Sequence, residues 1–268
     1  MSVRIASMRG RLLPNGRVDL VRQICLFGGS YLLYRLLESA IAHHQAAAFR
    51  HAGQLISLER ALHIFIEPSV QSWAAGSHLL LVIAVYVYIN AQTTLLVGAL
   101  LYLYIRHNRN YYFVRNMLLV AMVIALACYT FYPTAPPRFL PEWGFTDTLQ
   151  YITGVSSRNV SSAFVINFGA VPSMHVAFAA ILSWSLVRVV RSRIVRVLWM
   201  VWPLVITFVT IITGNHFLAD AVLGLVAAAI AAGVARGLAA IRPHAWAPAW
   251  APAPAPTPAP VGSSVAIT

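Results

Sequence analysis

Lysine is absent from the chain. All 19 basic residues are arginine, and charged residues of both signs make up only 10% of the 268 positions. Soluble domains carry about a quarter, so an ordinary water-soluble fold is excluded. Carboxylates are scarcer still, seven in all, which leaves a formal charge of +12. The arginines flank hydrophobic runs and form no basic stretch of their own, so nucleic acid is not the expected partner. Cysteine is nearly missing as well: Cys25 and Cys128 both lie in apolar runs, and no disulfide framework can be read from them. Abundant Ala and Arg without Lys point to a GC-rich, bacterial genome.

What fills the chain is apolar. Hydrophobic residues reach 59%, with a mean hydropathy of +0.72, and six runs stand out at 20–41, 73–105, 113–131, 172–190, 196–213 and 217–240. Each is long enough to cross a bilayer as a helix. The second could hold two short spans, with Asn90 and Gln92 at a break. Arginine placement decides: with six spans and the N-terminus inside, the segments 1–22, 106–115, 188–196 and 236–242 carry 14 of the 19 arginines on the cytoplasmic side. Splitting the second run would move Arg106, Arg109 and Arg115 outside, so the positive-inside rule favours one long span. The expectation is an all-α, six-span transmembrane helix bundle occupying 20–240. A cytoplasmic segment precedes it at 1–19, and a disordered cytoplasmic Pro/Ala-rich tail follows at 241–268. Cleavage of the first run as a signal peptide is the weaker reading, because it carries Arg35 and Glu38, three apart and suited to a local ion pair.

Between the first two spans, Leu55, Leu58, Leu62, Phe65 and Ile66 recur at helical spacing with Arg50, Gln54, Glu59 and Arg60 between them. This predicts a helix lying in the membrane interface over about 47–67. His43, His44, His51 and His63 in the same segment have no Cys or carboxylate at familiar ligand spacing, so no metal is expected. Gly233 and Gly237 form a Gly-xxx-Gly pair suited to close helix packing and a candidate homodimer contact.

Six spans place three polar clusters on the outer face. Tyr132–Arg138 follows the third span, Pro172-Ser173-Met174-His175 opens the fourth, and Thr213–Asp220 links the last two. His216 and Asp220 are four apart and share a helix face, so the carboxylate can fix the imidazole tautomer and make the other nitrogen a better nucleophile or base. Pro172 suits the first helical turn, whose free amides favour an anion. His175, close behind, is placed to donate a proton. Arg138 can grip phosphate oxygens with two prongs. Each cluster alone is compatible with a capped helix or an interfacial polar residue. Together they point to phosphoryl transfer.

These residues resemble the type 2 phosphatidic acid phosphatase superfamily of membrane phosphoesterases, whose pattern is Lys-x6-Arg-Pro, Pro-Ser-Gly-His and Ser-Arg-x5-His-x3-Asp. The matching stretches are Pro137-Arg138-Phe139, Pro172-Ser173-Met174-His175 and His216-Phe217-Leu218-Ala219-Asp220. The chain departs from the pattern where the Lys falls on Phe131, the Pro after the arginine is Phe139, the Gly of the second block is Met174, and Ser-Arg falls on Val209-Thr210. With its Tyr-Pro-Thr-Ala-Pro-Pro-Arg and Thr-Gly-Asn-His segments, the chain is similar to the divergent branch that includes fungal inositol phosphorylceramide synthase (the aureobasidin-resistance type). The resemblance implies a metal-free phosphohistidine mechanism without cofactor. In it His216 attacks phosphorus, Asp220 orients it, His175 protonates the leaving oxygen, and Arg138, Ser173, Asn215 and Arg158 bind the phosphate. The expected substrate is a phospholipid or isoprenoid phosphate in the bilayer. Headgroup transfer to an alcohol is placed ahead of hydrolysis by a lipid phosphate phosphatase. A transporter would need ionisable residues at mid-bilayer depth, which the last three runs lack, and retention of both histidines and the aspartate argues against an inactive scaffold.

This reading puts the protein in a bacterial plasma membrane with both termini cytoplasmic and the active site extracytoplasmic. Single-cysteine labelling of intact cells, on a background free of Cys25 and Cys128, tests it. An impermeant reagent should label Glu142→Cys and spare Ser192→Cys; labelling at 192 would overturn the sidedness.

Overall fold

The computed structural model describes residues 15–41, 45–155 and 168–246. The expected tail falls largely at 247–268, outside the described residues. The described chain is helical, without a strand, and its one β-type feature is an isolated parallel bridge between Thr134 and Gly169. The helices are α1 (Gly16–Ile41), α2 (Gln45–Ala61), α3 (Glu67–Ala75), α4 (His78–Arg106), α5 (Asn108–Phe131), α6 (Thr148–Thr153), α7 (Met174–Val189), α8 (Arg193–Ile212), α9 (Leu218–Ile241) and a short turn, α10 (Pro243–Trp246).

Among the described residues, α4, α5, α8 and α9 are long and apolar enough to cross a membrane, and α7 is a shorter apolar helix of 16 residues. Their outward faces carry large exposed hydrophobics such as Ile83, Leu101, Leu198, Leu204, Leu223 and Ile230. Water would not tolerate so much contiguous apolar surface, whereas lipid matches it. At the centre lie α5, packed on α1, α4, α7 and α9, and α7, packed on α4, α5, α8 and α9. Their shared core holds Leu103, Tyr112, Leu118, Phe178 and Ile181.

The second hydrophobic run starts later than expected. Gly76-Ser77 breaks it: Ser77 caps α4 by accepting from Leu80 N (3.3 Å), and residues before the break form α3. From Ser77 the helix is continuous to Arg106, and the break considered at Asn90 and Gln92 is a π-helical turn, Val87–Ala91, inside one helix. Such turns insert one residue and re-aim side chains, often beside functional sites.

The segment between the first two apolar runs also differs. Helix α2 ends at Ala61, and its buried face consists of Ala48, Ala52, Leu55, Ile56 and Glu59, while Leu58, Leu62 and Ile66 are exposed. The apolar stripe therefore runs one position away from the expected one, because small alanines allow close approach and Glu59 has buried partners. The Gly-xxx-Gly pair behaves differently too: a Cβ at Gly233 or Gly237 would meet nothing within 4 Å. Close packing occurs at Gly224 instead, where a Cβ would lie 2.5 Å from the Ser173 carbonyl oxygen. That contact presses the starts of α7 and α9 together.

At the opposite end, Asp19 accepts from Tyr104 (2.9 Å) and Tyr112 (2.8 Å), tying α1 to α4 and α5. Asn116 donates to the Trp246 carbonyl (2.7 Å), so the first residues after α9 dock on α5. The side chain of Glu38 lies outside the described residues, and so does any ion pair with Arg35.

Candidate active site

The loop before α9 is built on backbone hydrogen bonds. The amides of Asn215 (2.9 Å) and His216 (3.3 Å) both donate to the Thr210 carbonyl, and Arg138 N donates to Gly214 O (2.8 Å). Gly214 has φ 71°, and a Cβ there would come within 2.8 Å of Thr146 O and 3.2 Å of the Arg138 Cβ. Only glycine fits. Gln71, buried on α3, stitches the surroundings by donating to Thr146 O (2.9 Å) and accepting from Thr146 N (2.9 Å).

His216 is not on the helix. It precedes the N-cap, Phe217, so the four-residue spacing from Asp220 works differently from a shared helix face. Asp220 folds back as the capping carboxylate and its Oδ2 accepts from Phe217 N (2.9 Å). That fold brings Oδ2 to 3.4 Å from His216 Nδ1. The shorter partner of Nδ1 is the carbonyl oxygen of Ala170, at 3.0 Å. A carbonyl can only accept, so Nδ1 carries the proton and Nε2 keeps its lone pair. Ala170 is held in turn: its amide donates to Thr134 O (3.2 Å), Thr134 N donates to Phe168 O (2.9 Å), and Ala135 N donates to Ala48 O (3.1 Å). The proline-rich stretch after α5 thus fixes the carbonyl that fixes the imidazole.

His216 is 6% exposed and Asp220 fully buried. Burial, with a smaller contribution from the Arg138 charge against the Ala170 hydrogen bond, lowers the His216 pKa to about 3. The imidazole is neutral at physiological pH, as a nucleophile must be.

His175 is the second residue of α7, its ring 5.6 Å from that of His216 and stacked on Tyr88 at 4.5 Å. Tyr88 belongs to the π-turn of α4. Pro172 lies outside the helix, because the N-cap is Ser173, whose Oγ accepts from Val176 N (3.4 Å) and whose amide donates to Asp220 O (3.0 Å). Arg138, 5% exposed, donates through Nη1 to Asn215 Oδ1, and its guanidinium lies 4.7 Å over the Phe139 ring. Asn215 also donates to Thr213 Oγ1 (2.8 Å). The structure therefore brings His175, His216, Asp220, Arg138, Ser173 and Asn215 to one end of the bundle. Arg158 lies outside the described residues. At the two positions where the family pattern has further cations, Phe131 faces outward, 84% exposed, and Thr210 is fully buried.

Of the histidines at 43–63, His51 stacks on Tyr132 at 4.1 Å with Nδ1 2.8 Å from Pro133 O, and His63 lies in the turn after α2 with φ 58°. His43 and His44 lie outside the described residues.

Two carboxylates were absent from the expected site. Glu67 Oε1 accepts from Leu218 N (2.7 Å) and Glu59 Oε1 from Ala219 N (2.7 Å). With Asp220 on Phe217 N, three consecutive amides at the start of α9 each meet a different carboxylate. First-turn amides have no intrahelical partner, and the helix dipole favours negative charge there. The available signal was scarcity: three of only seven acidic residues converge here.

Below His175 a small, water-sized cavity of about 10 Å³ lies between α4, α7 and α8, lined chiefly by Leu95, Phe178, Leu182, Trp202 and Ile206, with Gln92 on its α4 wall.

A family model of the PAP2 superfamily matches residues 53–234, more than half of the chain, and the chain belongs to that superfamily. The match runs from the middle of α2 to the last turns of α9 and contains every described site residue. Membership gives a membrane enzyme of the lipid phosphatase or phosphotransferase kind. No curated protein and no solved structure matches the chain.

Burial, and to a lesser extent Glu67 and Asp220, push the Glu59 carboxyl up from 4.5 to about 8, against the pull of the Ala219 amide. The folded state thus binds this proton more tightly than the unfolded chain does. The stability this confers is complete below pH 4.5 and is lost as pH rises to about 8. In detergent, the unfolding temperature should fall across that window. Glu59→Gln should flatten the slope, since a carboxamide oxygen still accepts from Ala219 but has no proton to lose; an unchanged slope would assign the titration elsewhere.

Proposed function

We propose that this protein transfers a phosphoryl or phosphorylated headgroup from a lipid phosphate to an alcohol, through a phosphohistidine on His216 and without a metal ion. The observation that carries this reading is the 3.0 Å approach of His216 Nδ1 to the Ala170 carbonyl, which puts the proton on Nδ1 and leaves the lone pair on Nε2. In the first step Nε2 attacks phosphorus, the N–P bond forms and the P–O bond to the leaving group breaks. His175, whose ring adjoins that of His216, gives its proton to the departing oxygen. In the second step an alcohol attacks phosphorus, the N–P bond breaks, and the alcohol's proton passes to His175. Asp220 and the Ala170 carbonyl stabilise the charge that develops on the imidazole. Arg138, Asn215, Ser173 and the first-turn amides of α7 receive the phosphoryl oxygens. Arg158 is proposed as a further phosphate ligand.

The near-complete burial of His216 and Asp220 supports transfer over hydrolysis, because a site this closed keeps bulk water from the phosphoenzyme. The likeness to the inositol phosphorylceramide synthase branch points the same way and suggests a polyol as acceptor. We place α1, α4, α5, α7, α8 and α9 across a bacterial plasma membrane as six spans, the short α7 enclosed by its neighbours. The site then lies on the extracytoplasmic face and both termini inside. The exposed Gly233 and Gly237 leave α9 free to meet a second copy as a homodimer.

The test is a leaving-group series on purified protein with EDTA present, with and without polyol. Wild type should turn over lipid phosphates in EDTA and, when polyol is added, yield the polyol phosphate from a lipid monophosphate or a new phosphodiester from a phosphodiester lipid. His216→Ala should be inactive on every substrate. His175→Ala should lose ~10²–10⁴-fold with alkyl leaving groups and recover partly with p-nitrophenolate, which needs no proton. Recovery of His216→Ala instead would exchange the two roles. Free phosphate as the sole product would make the enzyme a hydrolase, and dependence on an added divalent ion would refute the metal-free mechanism.

A further inference from the structure

Helix α1 lies outside the 53–234 family match. Its first two turns hold Arg17 and Arg22, and the only later cation on it is Arg35, half-buried. A charged side chain inside an apolar span is costly and marks a functional position by default. The neighbouring Tyr34 is buried in the core that α5 and α7 share, and Phe27 and Tyr31 pack on that core. Arg35 therefore sits at the edge of the inward face of α1.

Its depth follows from hydrogen bonds at the other end of the bundle. Asp19 accepts from Tyr104 and Tyr112, which puts these three residues at one level. Arg35 is sixteen residues beyond Asp19, about 24 Å along the axis. Sixteen residues along α4 from Tyr104 lead to Tyr88, which stacks on His175. Seventeen residues along α5 from Tyr112 lead to Tyr129, whose hydroxyl donates to Pro172 O (3.2 Å). Three helices thus bring Arg35 level with the start of α7. The Arg35 charge acts on the His175 imidazole, and the Arg138 charge acts on that of His216. Each histidine has its own arginine. A phosphodiester brings one negative charge into this site and a monoester up to two, and Arg138 offsets one. In-line displacement puts the attacking and leaving atoms on opposite sides of phosphorus, so a cation beside His175 meets oxygens that Arg138, beside His216, does not.

We propose that Arg35 is a substrate-binding residue whose guanidinium holds the phosphate oxygens on the leaving-group side, so that α1 completes the active site. This rests on the reading of His175 and His216 as the phosphoryl-transfer site and adds to it a second phosphate-binding cation. The guanidinium is always charged and offers several N–H donors in one plane, so it holds an anion close to His175 without competing for the proton that His175 delivers.

The probe is inorganic phosphate, its affinity read from the rise in unfolding temperature of the full chain in detergent. Arg35→Gln should weaken phosphate binding ~10–100-fold, the worth of a charged hydrogen bond, and lower kcat/KM on a lipid phosphate by at least as much. Arg35→Lys keeps a point charge and should recover part of both. A merely structural Arg35 would lower the unfolding temperature of Arg35→Gln and leave phosphate affinity unchanged, which would overturn the proposal. A second measurement uses wild type alone, so it holds even if the variants fail to fold. Phosphate should slow the reaction of Arg35 with phenylglyoxal, mapped by peptide mass spectrometry, while the exposed Arg17 reacts at an unaltered rate. Equal modification of Arg35 with and without phosphate would overturn the proposal as well. If phosphate protects Arg35 and Arg35→Gln weakens its binding, yet no lipid phosphate is turned over, the phosphoryl-transfer reading fails and the anion site stands. If wild type and Arg35→Gln turn over lipid phosphate alike, that reading stands and the role of Arg35 fails.

Discussion

Three consecutive amides at the start of α9 each donate to a carboxylate brought from a different part of the chain: Phe217 to Asp220, Leu218 to Glu67 and Ala219 to Glu59. All three carboxylates are fully buried, and like charges so close would repel if the helix end did not hold them. The arrangement joins α2, α3 and α9 at one point. Because Phe217 directly follows His216, whatever fixes the first turn of α9 also fixes the imidazole. The rest of this end of the bundle depends on this cap, including the Asp220 carbonyl that receives Ser173 N at the start of α7.

The cap also divides labour around His216. Asp220 is engaged with Phe217 N, and its 3.4 Å approach to Nδ1 is the longer of two contacts. The Ala170 carbonyl is nearer at 3.0 Å. Tautomer control is therefore shared between a side chain and a backbone group, and the backbone group is anchored through Thr134 and Ala135 to α2. Arg138 is positioned by the same logic: its amide binds Gly214 O and its guanidinium meets Asn215, both in the loop that carries His216.

The chemistry-bearing side chains were legible in the sequence because topology alone brings three polar clusters to one face. The order of the apolar runs, with a polar cluster at the end of each of three, suggests it, and His175, His216, Asp220 and Arg138 do converge at one end of the bundle. What the sequence did not disclose has physical reasons. The Ala170 carbonyl has no side-chain signature. Glu59 sits among polar neighbours in the sequence, yet alanines at 48 and 52 let its face of α2 pack inward, so helical periodicity weighted toward large residues chose the wrong stripe. Gly233 and Gly237 fit a packing motif, but the close approach occurs at Gly224, where the Ser173 carbonyl leaves no room for a Cβ. Pro172 lies just outside α7 because Ser173 takes the cap. Asn90 and Gln92 look like a break in an apolar run, and the helix accommodates them as a π-turn that sets Tyr88 against His175.

The central claim is that His216, held with its proton toward Ala170, is the atom donor of a covalent intermediate. The most direct measurement is to react the protein briefly with a lipid phosphate carrying labelled phosphorus, quench in alkali and map the label by peptide mass spectrometry. The account predicts an alkali-stable, acid-labile phosphoramidate on His216, formed at a rate no slower than turnover. Label on His175, or turnover at full rate with no labelled histidine, would contradict it.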